Sequence, residues 1–147
     1  MARKARILII ESRFYAAIAD ELLRGAVAAL DAAGAEHVIV SVPGALESPT
    51  ALAMALRGPE AYDGFVVLGC VIRGETTHYD IVAGTSACVV ADIAAHEAIA
   101  VGNGILTVEN EEQAWARARV AGLDKGGAAA RTALAMVDLR RKLMLRP

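Results

Sequence analysis

Residues 64 to 82 read GFVVLGCVIRGETTHYDIV, and the fold turns on how this stretch divides. Gly64 to Ile72 is a continuous apolar run rich in β-branched residues, which predicts a strand buried on both faces. His78 to Ala98, HYDIVAGTSACVVADIAAHEA, carries small and apolar residues at helical spacing and predicts a helix. Arg73 to Thr77 then form the loop leaving the strand's carboxyl end. Gly69 and Gly74 are spaced as in the nucleotide loop G-x-x-x-x-G-K-[ST], but Glu75 stands where that loop needs lysine. Gly69 also lies inside the apolar run, and a carboxylate at 75 would repel a triphosphate. The nucleotide reading fails.

The same strand-then-helix grammar continues on both sides. Arg6 to Glu11 (RILIIE) predicts a first strand, followed by a helix over Tyr15 to Gly34. His37 to Val42 predicts a second strand stopped by Pro43-Gly44, and Ser48-Pro49 reads as the cap and first turn of another helix. Ala98 to Thr107 predicts a fourth strand. Helices over Glu111 to Ala121 and from about Gly127 to Leu145 close the chain, with Gly122 and Gly126 between them. Arg140, Arg141, Lys142 and Arg146 suit the negative end of that last helix. Such alternation predicts an α/β protein, a three-layer α/β/α sandwich on a four-stranded parallel sheet. Ligands of these sheets bind beyond the carboxyl ends of the strands, so the chemistry belongs in the loops after them.

Bulk properties agree with one domain over residues 1 to 147. The longest uncharged stretches, Ile81 to Ala91 and Ala98 to Val108, are too short to span a bilayer, and no basic-then-apolar leader opens the chain. A cytoplasmic protein is expected. Hydrophobic residues make up 56% against 22% charged, an excess that calls for either an unusually tight core or, the favoured reading, a surface covered by other subunits. Net charge is −2 with both signs interspersed, which argues against a nucleic-acid partner. Cys70 and Cys88 form no paired motif, so both read as buried structural thiols and no metal is expected.

Several loop residues carry chemistry in this arrangement. Thr76 and Thr77 open a helix whose free N–H groups and dipole favour one phosphate. The same threonines, with the capping-box spacing from Thr77 to Asp80, would serve equally well only to start the helix. His78 stands in the first turn, suited to accept and return protons near neutrality. His37 and His96 fall away from the strand ends and read as structural. In VPGALE, glycine permits close backbone approach and Glu47 can accept from hydroxyls. Phe14 follows the first strand, where a ring either packs or stacks on a flat heterocycle. Arg117 offers a planar fork for phosphate on an otherwise solvated helix. GNG at Gly102 to Gly104 is half a dinucleotide fingerprint with Thr107 where the third glycine should fall, and carries no nucleotide function.

SRF, VPGALE, LGCVIRGETTHYDIV, GILTVENEEQAWARA and DKG together resemble one family in order and spacing. From about Arg6 to its end the chain is similar to the 6,7-dimethyl-8-ribityllumazine synthases. The resemblance implies a flavodoxin-like fold. It also implies condensation of 5-amino-6-(D-ribitylamino)uracil with 3,4-dihydroxy-2-butanone 4-phosphate, without metal or organic cofactor. By the resemblance, Phe14 would stack on the uracil ring, and Ala45, Leu46 and Glu47 would line the ribityl chain. Cys70, Val71 and Ile72 would hold the pyrimidine edge, Glu75 and Thr76 would meet the phosphate, His78 would move protons and Arg117 would clamp the phosphate. The site would lie between subunits of a homo-oligomer.

Asn103 departs from the family, many of whose members carry an aromatic residue there, so its substrate contact stays open. RVAGLDKGG and the short leader before the first strand also differ from shell-forming members, and favour a pentamer or a pair of pentamers. Two other readings share the scaffold: an archaeal-type riboflavin synthase, and a non-catalytic flavin- or lumazine-binding shell protein.

Overall fold

The computed structural model describes residues 3–144. Along the chain run β1 (Arg6–Ser12), α1 (Ala16–Ala32), β2 (Glu36–Val42), α2 (Ser48–Arg57), β3 (Gly64–Ile72), α3 (His78–Glu97), β4 (Ala100–Val108), α4 (Glu111–Ala118) and α5 (Lys125–Met144). A 3-10 turn at Ala45–Glu47 precedes α2. The strands pair in parallel in the order β2-β1-β3-β4, giving the four-stranded parallel sheet expected from the alternation and the flavodoxin-like fold that the resemblance implied.

Side-chain parity on the central strands builds both outer layers. Ile7 and Ile9 of β1, with Val66, Leu68 and Cys70 of β3, face α1, α4 and α5 in one core. Leu8, Ile10, Phe65 and Val67 face the other way, against Leu52 of α2 and Val90 of α3. A central strand buried on both faces cannot alternate, which is why β3 reads as an unbroken apolar run.

Close backbone packing seats α5. A Cβ at Gly102 of β4 would overlap the Ala129 carbonyl, and one at Gly126 would overlap that of Leu22 in α1. Gly126 therefore lies inside α5, not in a linker ahead of it. Asp124 starts this helix, its Oδ1 accepting from the Gly127 amide at 3.2 Å. The expected end at Leu145 and the charge of Arg146 lie outside the described residues. Arg140, read as answering its own helix, instead donates from Nε to the Ala98 carbonyl at 2.7 Å. Ala98, in the left-handed region at φ 53°, ends α3, so the fourth strand begins two residues later than its sequence suggests. The fourth helix likewise stops at Ala118, short of Ala121.

Two capping expectations are corrected. Ser48 is already helical and buried, its hydroxyl without a protein partner, because the 3-10 turn makes Glu47 the residue before the helix. Thr77 precedes α3 without a side-chain cap. Thr76 accepts from the His78 amide at 3.3 Å in its place.

The helix α3 buries only Val82, Ala83, Ser86 and Val90, leaving Ile81 and Val89 exposed. Cys88 is exposed on this helix, contrary to its expected burial. The apolar excess seen in the composition thus sits partly on the outside of the chain, as does that of Ile39 and Val40 on edge strand β2. Among the described residues no helix is long and apolar enough to cross a membrane.

Candidate active site

The strand order reverses between β1 and β3, since β2 is added on one side of β1 and β4 on the far side of β3. A cleft of about 420 Å³ opens there, walled by the loops after β1, β2 and β3. Each wall follows from local chemistry. Gly69 leaves room for the Ser12 hydroxyl, which donates to the Leu68 carbonyl at 3.3 Å and draws β1 against β3 at this end. Pro43 cannot extend the β2 ladder, so the chain turns and folds Ala45–Glu47 into its 3-10 turn.

Phe14 forms one lip, 73% exposed, its ring edge-on to Tyr15 at 4.9 Å between centroids. Ala45, Leu46 and Glu47 form the second wall, and Cys70, Val71 and Ile72 the floor. Thr76 and His78 close the side beneath α3. Nine of the residues expected from the sequence therefore meet around one cleft. Burial pushes the Cys70 thiol up to about 11, so it stays protonated and serves as a wall rather than a nucleophile. Tyr15 is also raised, by burial first and then by its neighbours Cys70 and Glu111.

Arg73 stiffens the loop carrying Thr76 and His78. Its guanidinium pairs with Glu109 at 2.7 Å, lies 3.6 Å from Asp80, and covers the Tyr79 ring at 4.3 Å. These partners, the Glu109 hydrogen bond first, raise its pKa further above the ordinary value.

Three expected residues do not join this cleft. Glu75 is exposed on the loop and lines neither cavity. Asn103 and Arg117 line a second cleft of about 350 Å³, beside the open edge of β4 and against α4 and α5. Asn103 Oδ1 accepts from the Ile105 amide at 2.9 Å, occupying a strand-edge donor that would otherwise stand free. Arg117 lends one nitrogen to the Gln113 carbonyl at 3.1 Å. Lys125, with Thr107 and Thr132, lines the same cleft and was not singled out from the sequence, although it is the lysine of the DKG segment.

Electrostatically the clefts are opposites. Glu47 is the charged residue of the first, whose described lining contains no lysine or arginine, whereas the second holds Arg117 and Lys125. No group of three or more metal-ligating side chains occurs among the described residues.

An apolar cleft of this size at the switch point of a parallel sheet defines a flavodoxin-like α/β protein that holds a small organic molecule. Comparison with known proteins narrows the class. The family model for 6,7-dimethyl-8-ribityllumazine synthase matches residues 4–141, and the chain belongs to that family. A relative from Rhizobium meliloti, 6,7-dimethyl-8-ribityllumazine synthase 1, is 60% identical, covering 96% of this chain and 95% of its own. Proteins called 6,7-dimethyl-8-ribityllumazine synthase from Agrobacterium fabrum and Methylobacterium radiotolerans are 56% and 59% identical, over 95% and 93% of this chain and 97% and 83% of theirs.

Proposed function

We propose that this chain condenses 5-amino-6-(D-ribitylamino)uracil with 3,4-dihydroxy-2-butanone 4-phosphate to 6,7-dimethyl-8-ribityllumazine, releasing phosphate and water. The observation that carries the reading is the gathering of Phe14, Glu47, Ile72, Thr76 and His78 around one cleft in a member of this family. The amine of the pyrimidine is itself the nucleophile, so the protein's work is positioning and proton transfer. Phe14 stacks on the uracil ring, backbone groups of Cys70 to Ile72 hold its edge, and Ala45 to Glu47 receive the ribityl chain. Thr76, with Glu75 on the loop above it, lies toward the four-carbon phosphate, and His78 moves protons through imine formation and ring closure. The whole chain acts as one domain in the cytoplasm.

The phosphate, facing Thr76 in a cleft whose described lining holds no lysine or arginine, draws its cations from a second copy of the chain. Arg117 and Lys125 of that copy close the site. The exposed apolar residues of α3 and β2 support such an assembly, with a pentamer or paired pentamers as the form.

Both substrates are supplied, lumazine fluorescence and phosphate release are followed, and particle mass is measured on the same sample. Equal yields of lumazine and phosphate from an oligomer are expected. Riboflavin made from lumazine alone, or binding without turnover, would overturn the reading. Co-assembled His78→Ala and Arg117→Ala chains test the shared site. In a closed ring, about one site in four regains both groups, so activity rises above the mean of the parents. Activity equal to that mean would mean that each chain is self-sufficient.

A further inference from the structure

The turn carrying Phe14 into the cleft is fixed by residues that lie outside it. Glu11, on the last turn of strand before that loop, is 3% exposed. One carboxylate oxygen accepts from the Ser41 hydroxyl of β2 at 2.8 Å, the other from Arg13 Nη1 at 2.8 Å. The remaining terminal nitrogen of Arg13 donates to Asp20 of α1, and its backbone amide donates to the Val42 carbonyl at 3.2 Å. The residue directly before Phe14 is therefore tied to β1, β2 and α1 at once.

Phe14 has little else to hold it. Its ring is mostly exposed and touches Tyr15 edge-on. Local packing holds this ring weakly, so the place from which it enters the cleft is set by the backbone of the turn, which fixes the direction of its Cα–Cβ bond. A buried carboxylate that lost its partners would be strongly disfavoured, which confines Arg13 to one arrangement. The hydrogen bonds to Asp20 and Glu11 in turn raise the Arg13 guanidinium above its ordinary range, keeping it charged.

We propose that Glu11 is a positioning residue for the pyrimidine half of the reaction, acting through Arg13 to fix the point from which the Phe14 ring enters the cleft. Ser41 extends the device, because it ties the same carboxylate to the strand leading into Pro43 and the ribityl wall. Among the described residues, the phosphate half, built on the loop after β3 and on the second cleft, shares no side-chain hydrogen bond with this network. The inference rests on the proposed reading of the cleft.

Steady-state kinetics on the intact oligomer, varying each substrate separately, test it alongside thermal unfolding. Glu11→Ala is expected to raise KM for the pyrimidine roughly three- to tenfold, the value of one ring stack, with KM for the sugar phosphate and kcat held within about twofold. Glu11→Gln keeps the shape and both hydrogen-bonding positions and should recover most of the loss. Arg13→Lys, whose single ammonium cannot span two carboxylates as a guanidinium does, should reproduce the split without altering the core, even where Glu11→Ala fails to fold. A fall in melting temperature with both KM values unchanged, or a parallel rise in both, would reduce Glu11 to a structural role and overturn the proposal. Wild-type protein without turnover would instead defeat the reading of the cleft, and the proposal with it.

Discussion

Gly102→Ala should damage both stability and the second cleft, for a reason visible in the backbone. A Cβ there would overlap the Ala129 carbonyl oxygen and stand 2.8 Å from its carbon and 3.0 Å from the Ala133 nitrogen. Backbone atoms of a helix cannot rotate aside as a side chain can. Restoring even 3.4 Å from the carbon requires α5 to retreat by about 0.6 Å, and the oxygen requires more. Overpacking of this kind costs about 1–3 kcal/mol. For a chain of this length, that lowers the melting temperature by roughly 4–10 °C. The helix carries Lys125 and Thr132 on the wall of the second cleft, so a displacement near 1 Å should also cost turnover, up to about 10²-fold. Thermal unfolding and phosphate release on one preparation measure both. Gly34→Ala is the control: at φ 72°, in open space and at the amino end of β2, it should cost about 1–2 kcal/mol with kinetics untouched. An unchanged melting temperature and unchanged turnover in Gly102→Ala would refute the close-packing argument.

His78→Ala should lower kcat by about 10²-fold or more yet leave measurable turnover, because the substrate amine remains a nucleophile. A dead variant in an intact assembly would contradict the proton-shuttle role. Arg117→Ala should raise KM for the sugar phosphate while leaving KM for the pyrimidine unchanged, and parallel changes in both would count against a phosphate clamp. For Cys70, burial lifts the folded thiol from 9.0 to about 11, so the folded form keeps a proton that the unfolded chain releases between those values. Its contribution is fully present below pH 9 and is lost as pH rises toward 11, by at most about 1.4 kcal/mol per unit. Urea unfolding at pH 8 and pH 10.5 should show a shallower decline for Cys70→Ala than for the wild type, and identical slopes would place Cys70 in contact with water.

Most of the fold was legible because burial on two faces leaves an unmistakable pattern. The central strands β1 and β3 have no solvent side, so they read as unbroken apolar runs bounded by glycine and charge. The parts that misread were those where neighbours decide. Ser48 has the composition of a cap, but the 3-10 turn before it brings Glu47 to the capping place and draws the serine into the helix. GNG resembled half a nucleotide fingerprint, while its first glycine serves to let α5 approach β4. Cys88 was assigned to a core because an unpaired thiol ordinarily packs as a small hydrophobe, but its helix is apolar on nearly every side, and such a helix does not announce which side the sheet will cover.

The site divides along the same line. Residues ending β1, β2 and β3 share one edge of a parallel sheet, so chain order alone could bring Phe14, Glu47 and His78 together. Asn103 lies within β4 and Arg117 follows that strand on α4, but β4 is the outermost strand, and both residues line a cleft beside its free edge. Sequence order records that both belong to the β4–α4 segment, not that they open onto a different face. Charge accounting would have found what spacing missed. On the proposed reading, a phosphate near Thr76, with no lysine or arginine in the described wall, is electrostatically unanswered within one chain. Arg117 and Lys125, which line the second cleft together, are the cations that this reading assigns to it. A ring in which each copy turns its β4 edge toward the next copy's Phe14 would bring anion and cations together, and bury apolar surface that a single chain leaves in water.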